Sequence, residues 1–137
     1  MATMRTDGIA QLAISLEEIC EIPRDILDEM LNAEADVIAR AQQEKGRAYG
    51  VHRTGVTLAS IKKSKTYKTK DGRSIFITPT GINADGNRNA EVAFVNEYGK
   101  HGQAARPFIR DANEEKAEEA VNAAAEIHDK WMSSKGL

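Results

Sequence analysis

Three histidines, a lone cysteine and two pairs of adjacent acids are the residues whose chemistry bears testing first. His52, His101 and His128 stand far apart in the chain, and none has a second ligand at a zinc-binding spacing. Cys20 is the only cysteine, so an intrachain disulfide and a cysteine-based zinc cluster are excluded. Its chemistry reduces to that of a small buried thiol on a helix face. Glu114-Glu115 and Glu118-Glu119 are paired, but they fall in a helical pattern where solvated charge is the ordinary state. General acid–base catalysis needs an enclosed site that tunes the group, and these residues build none. No nucleophile elbow, phosphate loop or zinc-protease helix occurs. The chain therefore reads as a protein without catalytic, cofactor-binding or metal-binding residues, and not as an enzyme.

Binding chemistry is concentrated in one segment. Lys62, Lys63, Lys65, Lys68, Lys70 and Arg73 cluster there, with Tyr67 and Phe76 interleaved. Such a pattern can follow a phosphate backbone while its rings stack on bases, so a small nucleic-acid-binding module is one reading, with Lys63, Lys65, Lys68 and Arg73 as its basic patch. Lysines on an edge strand also prevent unwanted strand addition. The sequence pI of 5.9 speaks against a dedicated nucleic-acid protein. Charge is segregated along the chain: residues 1–50 carry 5 basic and 10 acidic side chains, 51–110 carry 11 and 4, and 111–137 carry 3 and 7. A basic middle between acidic flanks suits self-association or a charged partner, or simply two helices with acidic solvated faces.

The elements that must position these residues follow from period and punctuation. Ile9, Leu12, Ala13, Leu16, Ile19 and Cys20 form an apolar stripe that predicts a helix over 8–20. Pro23 breaks it and is placed to open the next helix, whose apolar residues Ile26, Leu27, Met30, Val37, Ile38 and Ala41 carry it to about Gly46. Residues 46–55 contain three glycines and predict a linker; 56–61 fit either a helical turn or a strand start. Lys65–Thr69 and Arg73–Thr78 flank Asp71-Gly72, the strongest hairpin signal present, and Pro79 ends the second strand. Ile75 and Ile77 are expected on the helix side and Phe76 on the other.

Residues 80–89 read as a loop. Residues 90–98 fit a helix face through Val92, Val95 and Tyr98 or a strand face through Val92 and Phe94; Asn89 as a cap and Gly99 as a stop favour the helix. The last helix starts at Pro107, carries Asp111, Glu114 and Glu115 near its start, and runs to about residue 133. At 1.5 Å per residue it is roughly 40 Å long. The result is a single α+β domain over 1–137: N-terminal helices, a small antiparallel hairpin, and a long C-terminal helix packed on one face.

At 137 residues and 5% aromatic content, alanine supplies much of the apolar surface. Alanine buries little area, at about 25 cal/mol per Å², so the core is expected to be thin and completed by neighbouring subunits. No segment approaches the roughly 20 apolar residues that span a bilayer. The N-terminus lacks the basic start and apolar run of a signal peptide, so a soluble protein of a reducing cytoplasm is expected.

Two blocks carry a resemblance. Thr54, Gly55, Leu58, Ser60 and Ile61 form the first; Phe94, Val95, Glu97, Tyr98 and Gly99, followed by Ala105, Arg106, Pro107, Phe108 and Ala112, form the second. With Gly8, Ile9 and Leu12 near the start, their order and separations resemble the minor tail-component family of long-tailed bacteriophages and prophages, the HK-type gene-product-ten group. The usual proline before the threonine-glycine block is absent, with Tyr49 to Arg53 in its place. The resemblance implies a virion structural protein of the neck or tail, acting in head–tail joining or tail completion. It also implies a homo-oligomeric ring, a hexamer by the family's habit, with phage tail or connector proteins as partners. Nucleic acid and membrane are not implied partners. Assembly would take place in the host bacterial cytoplasm, before incorporation into the virion. Thr54, Gly55, Leu58, Glu97, Tyr98, Gly99, Pro107 and Phe108 are then shape-determining residues, and Arg106, Arg110 and Trp131 are candidate subunit contacts.

Overall fold

The computed structural model describes residues 22–51, 55–70 and 72–136. The predicted helix over 8–20, with Cys20, lies outside these residues, as do His52 and Thr54. The elements are α1 (Arg24–Ala48), α2 (Val56–Ala59), β1 (Ile61–Lys63), β2 (Tyr67–Thr69), β3 (Gly72–Ser74), β4 (Ile77–Pro79), α3 (Asn89–Tyr98) and α4 (Phe108–Ser134). The α+β class follows directly.

The two long helices, α1 and α4, pack along each other and dominate the tertiary contacts. Small side chains let them approach: Ala35 and Ala41 on α1 and Ala112, Ala120 and Ala124 on α4 are buried. The contact is antiparallel, because Tyr49 Oη donates to Asp111 at 2.5 Å while Lys45, one turn earlier, pairs with Glu115, one turn later. Gln42 adds a hydrogen bond to Asn113 at 2.9 Å. Both prolines sit one residue earlier than the sequence suggested: Pro23 and Pro107 precede the first helical residue. Pro23 still organises its helix, since its carbonyl accepts from the Ile26 and Leu27 amides.

Gly46 corrects the predicted linker. It belongs to α1 and is buried, and a Cβ there would collide with the Leu58 side chain and meet Phe108 at 3.2 Å. The glycine thus lets α2 and the start of α4 close on the same turn of α1. Residues 56–61 resolve into both of their alternatives, one helical turn and then a strand. Val51, Leu58, Ile61, Ala93 and Phe108 form the core beneath, with Ile77 and Ile109 packed against it. Phe108 and Leu58 are the largest fully buried side chains.

The hairpin forms as predicted, with one irregularity. β1 pairs with β4 (Lys62 opposite Thr78) and β2 with β3 (Lys68 opposite Arg73). Between the two ladders three residues, 64–66, face two, 75–76, which is the count of a β-bulge. Ser64 and Phe76 span it through the Ser64 amide to the Phe76 carbonyl at 2.7 Å and the Phe76 amide to Ser64 Oγ at 2.9 Å. Ile77 reaches the core and Phe76 stands in solvent, as the alternation required.

Candidate functional site

The segment from α3 to the start of α4 holds most of the residues singled out above, and it is organised around one carboxylate. Pro107 precedes α4 and carries no side-chain acceptor, so the first amides of that helix need a partner from elsewhere. Glu97, near the end of α3 and buried, provides it. Its Oε2 accepts from the Ile109 amide at 2.8 Å and its Oε1 from the Arg110 amide at 2.9 Å. These are the second and third amides of the helix, the pair a capping side chain serves, and the negative charge faces the positive end of the α4 dipole. Sequence reasoning placed Glu97 in the right segment without finding this role. The available signal was a long helix starting Pro-Phe-Ile-Arg with no capping residue of its own.

Gly99 makes the connection possible. Its φ of 78° and ψ of 177° lie in the region reserved for glycine, outside the left-handed helical region. A Cβ would sit 2.8 Å from both the Ala105 amide nitrogen and the Gln103 carbonyl oxygen. The chain then returns through a turn at Lys100–Gln103, and the Arg106 amide donates to the Asn96 carbonyl at 2.6 Å. Phe108 follows into the core.

α3 buries an unusual face. Asn89, Ala93 and Glu97, at successive fours, point inward. Asn89 is the first helical residue and not the cap; its Nδ2 donates to the Thr80 carbonyl at 2.7 Å, tying the 80–88 loop to the helix start. Phe94 and Tyr98, one position along, are 62% and 69% exposed, with ring centroids 4.7 Å apart. Tyr98 therefore does not share the half-buried environment of Val92 and Val95. The helix is fixed from inside by polar contacts and presents its largest rings outward.

The remaining candidates divide. Arg106 is exposed and donates from Nη1 to the Gly50 carbonyl at 3.1 Å; Arg110 is exposed and pairs with Asp111 at 3.2 Å. Trp131 is half-buried on α4, its ring 6.1 Å from that of His128. Gly55 has φ 74°, which starts α2, and Leu58 is 2% exposed. The structure therefore brings Glu97, Gly99, Pro107 and Phe108 together, with Leu58 beneath them, and leaves Trp131 at the far end of α4.

The basic patch is also split. Arg73 Nε lies 2.5 Å from Asp28, and Lys63 Nζ 2.8 Å from Asp36, so both face α1. Burial pushes the Asp28 carboxyl up, but hydrogen bonds from Arg73 and Thr66 and the Arg73 charge outweigh it and hold the group below its ordinary value. Lys65 and Lys68 are exposed, as are Lys62 and Lys70. Tyr67 and Phe76 stack outside the hairpin with centroids 5.1 Å apart. Part of the charge segregation seen in the sequence is thus consumed within the chain. On the α1–α4 side, the Tyr49 hydrogen bond is the main cause that lowers Asp111, and the Lys45 hydrogen bond is the main cause that lowers Glu115.

An open depression of about 760 Å³ borders α3, lined among others by Asn83, Glu91, Val92, Asn96 and Arg106. Its charged residues Asp85, Glu91, Lys100 and Arg106 are all exposed, so no enclosed acid–base pair forms there. Among the described residues no group of three or more His, Cys, Asp or Glu side chains could hold a metal, and no helix is long and apolar enough to cross a membrane. The chain matches no protein-family model, no curated protein and no solved structure.

Proposed function

We propose that this chain is a structural assembly subunit without catalytic function, a phage or prophage virion protein of head–tail joining or tail completion that works as an oligomeric ring. One observation carries the assembly reading. Phe94 and Tyr98 project from a helix whose inner face is held by Asn89, Ala93 and Glu97, so two large rings stay in water while smaller and polar side chains go inside. Exposed aromatic area of this kind on a rigid element is typical of a surface that a protein partner covers. The virion assignment rests on the resemblance of the two motif blocks. The structure gives those residues work consistent with it: Glu97, Gly99 and Phe108 shape the surface and leave Phe94 and Tyr98 to dock.

The test is light scattering on the purified protein, followed by capture assays with purified tail-tube and connector proteins of a long-tailed phage. Ring-sized particles or capture by either virion protein are the expected results. A protein that stays monomeric and binds neither overturns the proposal.

A further inference from the structure

The hairpin and the outer face of α4 match each other in charge and in apolar content, yet they do not meet within one chain. Segment 61–79 carries six basic side chains and one acidic one, and α4 carries three basic and seven acidic. Strands β1, β3 and β4 lie against α1; the sheet shares the core with Phe108 and Ile109 at the start of α4 but does not pack along that helix. On the hairpin, the stacked Tyr67 and Phe76 are 36% and 60% exposed, and exposed Lys62 on β1 and Lys65 in the 64–66 bulge precede Tyr67 in the chain. Lys62 alternates to the outer side because Ile61 is buried and Lys63 reaches inward to Asp36.

The outer ridge of α4 has the complementary composition. Ala117, Val121 and Ala125 are exposed at successive fours, and Val121 is 58% exposed. Glu114 and Glu118 flank this strip and have no salt-bridge partner among the described residues; Glu115 and Glu119, by contrast, pair with Lys45 and Lys116. Lysines around an aromatic pair and glutamates around an aliphatic strip form two halves of one contact: rings on the strip, with opposite charges at the rim.

We propose that the basic hairpin of one copy docks on the acidic outer ridge of α4 in the next copy. The contact uses different surfaces on the two copies, so repetition gives a closed ring or an open filament and not a two-fold dimer. This inference rests on the oligomeric reading above and names the surfaces that would make the oligomer. It leaves Phe94 and Tyr98 free for a different virion protein.

Sedimentation velocity tests it with the full chain and two variants, Lys62→Glu/Lys65→Glu and Glu114→Lys/Glu118→Lys. All four side chains are exposed, so each variant should keep the wild-type melting temperature. Each alone should lose self-association by at least about tenfold, because like charges then face each other across the contact. An equimolar mixture should reassociate, since the acidic hairpin of one variant fits the basic ridge of the other in an alternating assembly. Retention of wild-type size by both variants, or failure of the mixture to reassociate, overturns the contact. A monomeric wild type overturns it as well; capture of that monomer by tail-tube or connector protein would leave the virion reading standing. Binding of a labelled oligothymidylate that the hairpin variant loses, with particle size unchanged, would assign the hairpin to nucleic acid and overturn the contact.

Discussion

Helix α3 and the β-hairpin each hold an aromatic pair in solvent, and they do so by different physical means. α3 is tied down by short-range packing and hydrogen bonds: the Glu97 carboxylate on two α4 amides, Asn89 on the Thr80 carbonyl, and Gly99 against backbone. The hairpin leans on α1 through opposite charges, Arg73 on Asp28 and Lys63 on Asp36, with Ile61 and Ile77 as its apolar roots. The first support is a buried, hydrogen-bonded carboxylate together with close backbone packing, which salt screens little. The second is electrostatic and weakens as carboxylates are protonated or salt is added. One presenting surface is thus held by a buried cap and close packing, the other by ion pairs nearer solvent, in the same small molecule.

The largest effect that breaks this contrast lies under both regions. Phe108 is fully buried and touches the core that α2, α3 and the strands share. Phe108→Ala should cost about 3–5 kcal/mol in urea unfolding. A loss below about 1 kcal/mol would mean that the core collapses onto the vacancy and that α3 and the hairpin are held independently of it. Next comes Gly99→Ala, which places a side chain in a strained backbone region and against the Ala105 and Gln103 main chain. About 1–3 kcal/mol is expected, with the near-ultraviolet signal of Tyr98 altered. The same substitution at Gly102, where φ is 81° but nothing lies within 4 Å of a Cβ, should cost less and so isolates the steric part.

Glu97→Ala removes the acceptor for two α4 amides and should cost about 0.5–2 kcal/mol, the range for losing a helix cap. Glu97→Gln keeps one acceptor oxygen and should fall between that variant and the wild type. Hydrogen exchange locates the effect: the Ile109 and Arg110 amides should lose protection while amides in the middle of α4 do not. Uniform loss along the helix would show that Glu97 acts through packing and not as a cap.

How far the sequence carried this picture depends on whether a feature is local. The α4 boundaries were legible within a residue because Pro107, the acids after it and the alanine stripe all lie inside the helix itself. The hairpin was legible through Asp71-Gly72 and the alternation of Ile75, Phe76 and Ile77; the bulge at 64–66 was not, because a bulge is a property of two strands read against each other. Gly46 looked like the start of a linker because glycine usually breaks helices, but here it is kept for the close approach of Leu58 and Phe108. Glu97 could not be assigned its cap from spacing, since its partners are twelve and thirteen residues away across a turn. Lys63 and Arg73 looked available for a partner until α1 supplied Asp36 and Asp28. Local period reveals elements; it does not reveal which charges are already paired.

The electrostatic support makes a smaller, pH-dependent prediction. Asp28 has a folded-state value below its ordinary one, so its contribution is fully present above the unfolded value of about 3.9 and is lost as pH falls through the folded value. Thermal melts should therefore fall below about pH 4, with Asp111 and Glu115 contributing in the same direction and Glu34, raised by burial, opposing them above that pH. Asp28→Asn should melt below the wild type at pH 7 and converge toward it in acid. A constant gap between the two at pH 7 and in acid would remove the charge from the account of how the hairpin is held.

The smallest effect on stability is the sharpest test of what the two aromatic pairs are for. Phe94 and Phe76 are 62% and 60% exposed, so Phe94→Ser and Phe76→Ser should each change unfolding free energy by less than about 0.5 kcal/mol. Their effects on assembly should separate. Under the proposed contact between copies, Phe76→Ser should reduce particle size in sedimentation, whereas Phe94→Ser should leave that size intact and reduce capture by tail-tube or connector protein. If Phe94→Ser instead destabilises by more than about 1 kcal/mol, its ring is part of how α3 packs. The outward rings would then be explained by the fold alone, and a partner would no longer be needed to account for them.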